Sequence, residues 1–289
     1  MKSLRYVSLS LVLGTSFAAH AQLSEDHNFR KDVAVVYAQG VHGPLLADAY
    51  VPNGKGPFPG VLFIHGGGWK TGDRNQMNKL IRDTTNAGFS SFTIEYDMDP
   101  VLFPHSLNES LAALEYFRSH AKEFKLDPTR IAVAGSSAGG ELAALVALSP
   151  QPRAVDGQPA GAPIAPVQAA VILNGVLDLR ALGDKSGMVT EYLGGHCTEK
   201  PEACKDASPV EHVHAGAPPF YVGHGTADQT VPYSQAEAFT AALYAAKVPV
   251  QFYGAQNGPH TYWMRPEFYA GNTTSILQFL QTALKSTTK

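Results

Sequence analysis

The chain has 289 residues, 44% of them hydrophobic and 16% charged, and a formal net charge of −3. A balance so mild, with no run of basic residues, gives no reason to expect a nucleic-acid partner. The length fits one large α/β domain better than two average ones, and no stretch is long and apolar enough to predict a membrane span.

The first 21 residues read as a secretory signal peptide. Lys2 and Arg5 are the only charges before Glu25, residues 7–18 form a short apolar core, and Ala19-His20-Ala21 offers a small-x-small cleavage site. The core is too short and too rich in serine for a membrane anchor. Cleavage after Ala21 predicts a single mature domain over residues 22–289, secreted or periplasmic. Two basic residues and no acidic one leave, which takes the charge from −3 to −5.

Residues 33–38 and 45–51 then predict two strands joined by a turn around Gly40. A Pro/Asn/Gly turn leads into the apolar run Gly60-Val61-Leu62-Phe63-Ile64, the pattern of a strand covered on both faces. A helix follows over 75–87, ended by Gly88, then a strand over 89–96. Leu107, Leu111, Leu114 and Phe117 recur at helical spacing within a helix predicted over 106–124. Asp127-Pro128 predicts a turn into the strand 130–134, and Glu141 opens an Ala/Leu helix to residue 148. Further strands are expected at 167–173, 219–223 and 250–253, and helices at 234–246 and 274–284, with an irregular segment over 177–217. Alternating strands and helices after an opening hairpin predict an α/β fold: a mostly parallel twisted sheet with helices on both faces. In such a sheet the informative loops follow the carboxyl ends of the strands.

Four of those loops carry chemistry. Between a strand and a helix lies Gly135-Ser136-Ser137-Ala138-Gly139-Gly140, a Gly-x-Ser-x-Gly elbow. So sharp a turn needs small residues two positions either side, and it lifts the Ser137 hydroxyl clear of the sheet. Ser137 is the predicted nucleophile, and the Ala138 N–H, at the positive end of the following helix, is a predicted oxyanion donor. After Ile64 comes His65-Gly66-Gly67-Gly68-Trp69, where the Gly67 and Gly68 amides supply the rest of an oxyanion hole. A phosphate-binding loop would need Gly-Lys-Ser/Thr or Gly-x-Gly-x-x-Gly, and neither follows. His65 is expected to hold the loop and not to act as base.

In the loop after the strand at 219–223, Asp228 is the predicted acid and His260, ahead of the last helix, the predicted base. Asp228 could instead simply cap the next helix, and Asp178 is a rival acid. The chain order Ser137, Asp228, His260 favours Asp228. His212 and His214 could hold a metal only with a third ligand nearby, so no metal and no cofactor are predicted. Cys197 and Cys204, the only cysteines, are expected to form a disulfide in an exported protein. A zinc site from His196, Cys197 and Cys204 lacks a fourth ligand.

With HGGGW, GSSAGG, HGTADQTVP and GPH in order, residues 32–284 resemble α/β-hydrolase serine carboxylesterases. The resemblance runs closer to the secreted feruloyl and acetyl-xylan esterases than to the hormone-sensitive-lipase group. That group has an acidic residue where this chain has Ser136, and an N-terminal helical cap that residues 22–32 are too few to build. The departure at Glu95-Tyr96-Asp97, where related esterases read Tyr-Arg-x-x-Pro, bears on the acyl pocket. The resemblance implies hydrolysis of carboxylic esters with short or aromatic acyl groups, acetyl or feruloyl groups on plant polysaccharide included. Trp69, Tyr96 and Phe103 are expected to line the pocket with segment 177–217. A peptidase or amidase of the same fold, and a catalytically silent hydrolase fold used for binding, are the alternative readings.

Overall fold

The computed structural model of the protein describes residues 28–98, 100–183 and 186–286; the signal-peptide reading at residues 1–21 lies outside them. Eight strands form one sheet: β1 (Phe29–Gln39), β2 (Pro44–Pro52), β3 (Phe58–Ile64), β4 (Ser90–Ile94), β5 (Leu126–Ser136), β6 (Ala169–Leu173), β7 (Phe220–Gly225) and β8 (Val250–Ala255). Their order is β1-β2-β4-β3-β5-β6-β7-β8. The pairs β1–β2 and β2–β4 are antiparallel and every other neighbour pair is parallel.

The continuous apolar runs are explained by two cores, one on each face. Leu62 and Ile64 of β3, Ile131 and Val133 of β5, and Ile172 of β6 point to one face. Val61 and Phe63, Ala132 and Ala134, and Val171 point to the other. Helices α1 (Asn78–Asn86) and α8 (Pro266–Ala283) cover the second core with Leu80, Ile81, Ile276 and Leu280. Helices α2 (His105–Ser119), α3 (Ala138–Leu148) and α7 (Ser234–Ala245) cover the first with Leu107, Leu142 and Phe239. All eleven residues of α3 are buried, which accounts for its apolar composition on every side.

Four expectations need correction. The turn at Asp127-Pro128 lies inside β5, as a bulge: Phe58 faces Leu126 but Gly60 faces Ile131, and the Asp127 carboxylate accepts the Thr129 N–H. The last helix starts eight residues earlier than the periodicity suggests, with Pro266 in the first turn where its missing N–H costs nothing. The helix predicted to reach residue 124 ends at Ser119, and turns carry the chain onward. The segment 177–217 is not irregular: it folds into α4 (Leu179–Leu182), α5 (Gly187–Leu193), α6 (Pro201–Asp206) and a 3-10 turn at Pro209–His212. Each of these helices is too short to show a periodic stripe, so tertiary contacts and caps define them. A disulfide joins Cys197 to Cys204, with Cα atoms 5.3 Å apart. No helix among the described residues is long and apolar enough to cross a membrane.

Candidate active site

Five loops leave the carboxyl ends of β3, β5, β6, β7 and β8, and their residues meet above the sheet. The elbow after β5 holds Ser137 at φ 56° and ψ −123°, a conformation that disfavours side chains and persists only where the surroundings force it. The forcing is visible. A Cβ on Gly135 would lie 2.0 Å from the Gly139 carbonyl oxygen, and one on Gly139 would lie 2.2 Å from that of His65. Glycine at both positions lets the Ser137 turn nest between α3 and the end of β3.

The Ser137 hydroxyl lies 3.0 Å from His260 Nε2, and His260 Nδ1 lies 2.7 Å from Asp228 Oδ2. A carboxylate can only accept, so Nδ1 carries the proton and Nε2 presents its lone pair to the serine. Asp228 Oδ1 accepts the Thr230 and Val231 N–H groups at 2.8 and 2.9 Å. Burial works to raise the Asp228 carboxyl, but the bonds from His224, His260 and Val231 outweigh it and hold the group well below the usual carboxylate range. It therefore stays an anion beside His260. Asp178, the rival acid, is spent elsewhere: its carboxylate caps α4 by accepting the Arg180 and Ala181 N–H groups.

Gly66, Gly67, Gly68 and Ala138 line one cavity of about 260 Å³ together with Ser137 and His260. Among the described residues, the Gly67, Gly68 and Ala138 N–H groups bond to no other protein group. Gly67 adopts φ 125°, and its carbonyl accepts from Lys70 and Thr71, which closes the loop into a turn. His65 is buried, donates Nδ1–H to the Gly66 carbonyl at 2.7 Å, and stacks on Tyr96 with ring centroids 4.5 Å apart. Burial lowers its readiness to take a proton. It braces the loop.

Of the expected pocket residues, Trp69 lines the cavity, and Leu182, Met188 and Val189 bring the 177–217 segment to its wall. Tyr96 and Phe103 do not line it, which corrects the sequence reading. Tyr96 is buried behind His65 and donates its hydroxyl to the His65 carbonyl at 3.1 Å. Phe103 packs edge-on against Tyr192 and faces a separate surface groove. Proximity to a strand end says nothing about which way a ring turns, and here both rings turn into packing.

Four contributors escaped the sequence reading. Gln76 Oε1 accepts the Gly66 N–H at 2.7 Å. Asn174, after β6, sets its amide nitrogen 3.3 Å from His260 Nε2. Glu141, fully buried one turn into α3, accepts the Trp69 indole N–H at 3.2 Å, and Trp69 stacks on Tyr192 of α5 at 4.1 Å. Burial pushes the Glu141 carboxyl well up, against the pull of the Trp69 and Tyr192 donors. His224 contacts Asp228 from β7. Only Asn174 and His224 carried a usable signal, as polar residues at the carboxyl ends of apolar strands. Among the described residues, no three His, Cys, Asp or Glu side chains are grouped to hold a metal ion.

Residues 47–243 match the protein family described as BD-FAE. The chain is 34% identical over 236 residues to the probable carboxylic ester hydrolase LipM of Mycobacterium tuberculosis, covering 78% of this chain and 54% of LipM. It is 32% identical over 212 residues to esterase LipQ of the same organism, covering 71% of this chain and 50% of LipQ. The chain thus spans about half the length of these curated relatives. Among solved structures, the thermophilic esterase Est2 of Thermogutta terrifontis, with propionate bound, superposes with a TM-score of 0.74 at 26% identity, covering 89% of this chain and 96% of Est2. Another structure of that enzyme is phosphonylated by sarin. A truncated carbohydrate esterase from gut microbiota has the same fold, with a TM-score of 0.77 at 22% identity over 90% of this chain and 99% of that one.

Proposed function

The chain belongs to the BD-FAE family, and on that premise we propose that it is a serine carboxylesterase working through Ser137, His260 and Asp228. The observation that carries the reading is the unbroken line of contacts, 3.0 Å from Ser137 Oγ to His260 Nε2 and 2.7 Å from His260 Nδ1 to Asp228 Oδ2. His260 takes the hydroxyl proton as Ser137 Oγ attacks the ester carbonyl carbon. The carbonyl oxygen becomes an anion facing the free N–H groups of Gly67, Gly68 and Ala138, while Asp228 stabilises the imidazolium. As the tetrahedral centre collapses, the C–O bond to the alcohol breaks, and His260 gives its proton to the departing oxygen. Water then enters, loses a proton to His260, attacks the acyl carbon, and releases the acid with the Ser137 hydroxyl restored.

The substrate is a neutral ester with a short or aromatic acyl group, acetyl or feruloyl groups on plant polysaccharide being the natural class. The cavity supports this with apolar walls of Val176, Leu182, Met188, Val231 and Trp263 and a volume of about 260 Å³. The propionate bound by the Thermogutta enzyme is in keeping with a short acyl group. Residues 22–289 act as one catalytic domain, exported by the N-terminal signal, and the Cys197–Cys204 disulfide suits an oxidising compartment.

Hydrolysis of p-nitrophenyl esters of graded length, methyl ferulate and acetylated xylan tests the reading. Ser137→Ala should lower kcat by roughly 10⁶-fold with KM little changed. A folded Ser137→Ala variant that cleaves p-nitrophenyl acetate at the normal rate refutes the nucleophile. Unaltered protein that hydrolyses none of these esters and takes no fluorophosphonate label refutes the esterase.

A further inference from the structure

His224 has no role in the steps above, yet it is the most deeply enclosed histidine near the site. It lies on β7, opposite Gly254 of β8, with no exposed surface. Its Nε2 stands 3.1 Å from Asp228 Oδ2 and 2.9 Å from the Val231 carbonyl oxygen. Both neighbours are acceptors, so Nε2 must carry the proton and share it between them. The other nitrogen, Nδ1, is buried without a hydrogen-bond partner, which suits a bare lone pair and leaves no acceptor for a second proton.

The consequence falls on Asp228. A carboxylate has about four lone-pair sites, and here all four are taken: Thr230 and Val231 on Oδ1, His260 and His224 on Oδ2. The Val231 backbone thus donates its N–H to Asp228 and accepts from His224 at its carbonyl, which ties β7 and the acid loop into one closed circuit. The titratable groups facing His224 are Asp228, His260 through it from the loop after β8, and Tyr233 ahead of α7, whose ring meets the imidazole edge-on with centroids 5.9 Å apart.

We propose that His224 is a positioning residue of the catalytic acid: its Nε2–H, sharing Oδ2 with His260, fixes the carboxylate plane and draws off part of the charge that would otherwise stabilise the His260 imidazolium. This rests on the esterase reading and deepens it. Two imidazoles on one oxygen divide its electron density. Loss of the buried donor leaves Asp228 a stronger acceptor for His260, so the base stays protonated to higher pH, and it also frees the carboxylate to rotate away from the line to Ser137.

The test uses full-length mature protein and p-nitrophenyl acetate, with His224→Leu and His224→Gln compared over a pH series. In His224→Leu, kcat should fall about tenfold and the acidic limb of kcat/KM should rise by about half to one pH unit, with KM nearly unchanged. His224→Gln, whose amide N–H can reach the Nε2 position, should restore both. A folded His224→Leu variant with the original limb and kcat, whatever its Tm, overturns the proposal, because a purely structural histidine would move Tm alone. If His224→Leu does not fold, the tautomer in the unaltered protein decides. Ring-¹⁵N NMR should show His224 as the neutral Nε2–H form at neutral pH, and an Nδ1–H form there overturns the proposal. Failure of the esterase reading is recognised separately, by unaltered protein that hydrolyses no ester at any pH.

Discussion

Gly67→Ala offers the sharpest test of the oxyanion loop, because the structure allows its cost to be worked out. A Cβ at this position would stand 1.8 Å from the Thr71 carbonyl oxygen, a backbone atom that cannot swing aside. The residue also adopts φ 125°, where a side chain adds roughly 1–3 kcal/mol of strain. Relief requires opening the turn, and so loses the bonds from Lys70 and Thr71 N–H to the Gly67 carbonyl, at about 0.5–1.5 kcal/mol each. The sum is about 2–6 kcal/mol, a large share of a typical domain's stability but not all of it. The variant should therefore fold at low temperature with a lowered Tm. On the proposed role, opening the turn moves the Gly67 and Gly68 amides off the oxyanion, and kcat should fall about 10²–10³-fold with KM much less affected. Two controls separate strain from chemistry. Gly43→Ala has φ 132° but open space for its Cβ, so it should lower Tm and leave kcat alone. Gly68→Ala meets only the flexible end of Met188 and should cost less than Gly67→Ala on both scales. Circular dichroism establishes folding and p-nitrophenyl acetate hydrolysis gives kcat. A folded Gly67→Ala variant with kcat within about twofold of the original would refute the assignment of this loop to the oxyanion.

The remaining predictions concern stability. Replacing Cys197 and Cys204 by serine opens a short covalent loop, and the loop-entropy relation gives a loss of about 2–3 kcal/mol, seen as a fall in Tm of about 5 °C. A double variant as stable as the parent would show that the packing of Cys204 suffices without the bond. Glu109 predicts a pH effect: burial in the first place pushes its carboxyl up to about 7, the Asp97 N–H pulls it partly back, and the Asp97 charge adds to the rise. A carboxyl raised on folding binds more protons in the native state, so its contribution is fully present below about pH 4.5 and is lost as pH rises through about 7. The loss is roughly 3 kcal/mol, and Glu109→Gln should remove it. Urea melts at pH 5 and pH 8 should differ less in the variant than in the parent, and equal differences would refute the shift.

Much of the site was legible because its chemistry demands particular residues at fixed local spacing. Ser137 needed Gly135 and Gly139 around it, and the backbone approaches of about 2 Å show why no larger residue fits. Tyr96 and Phe103 were misread because the orientation of a ring is set by what packs against it, here His65 and Tyr192. The short helices of segment 177–217 were invisible for a related reason. Their order comes from caps at Asp178 and Ser186, from a disulfide across seven residues, and from contacts such as Tyr192 on Trp69, which joins residues distant in sequence.

The linear chain by itself determined the alternation of strands and helices, the turn that exposes Ser137, and the candidates for base and acid, because apolar period and glycine spacing are local properties. Only the folded molecule decided that Asp228 and not Asp178 faces His260, that Glu141 clamps Trp69, and that His224 shares the acid's oxygen. Those are distances between side chains on different strands and helices, fixed by the register of the sheet and the packing of two cores, and no local pattern encodes them.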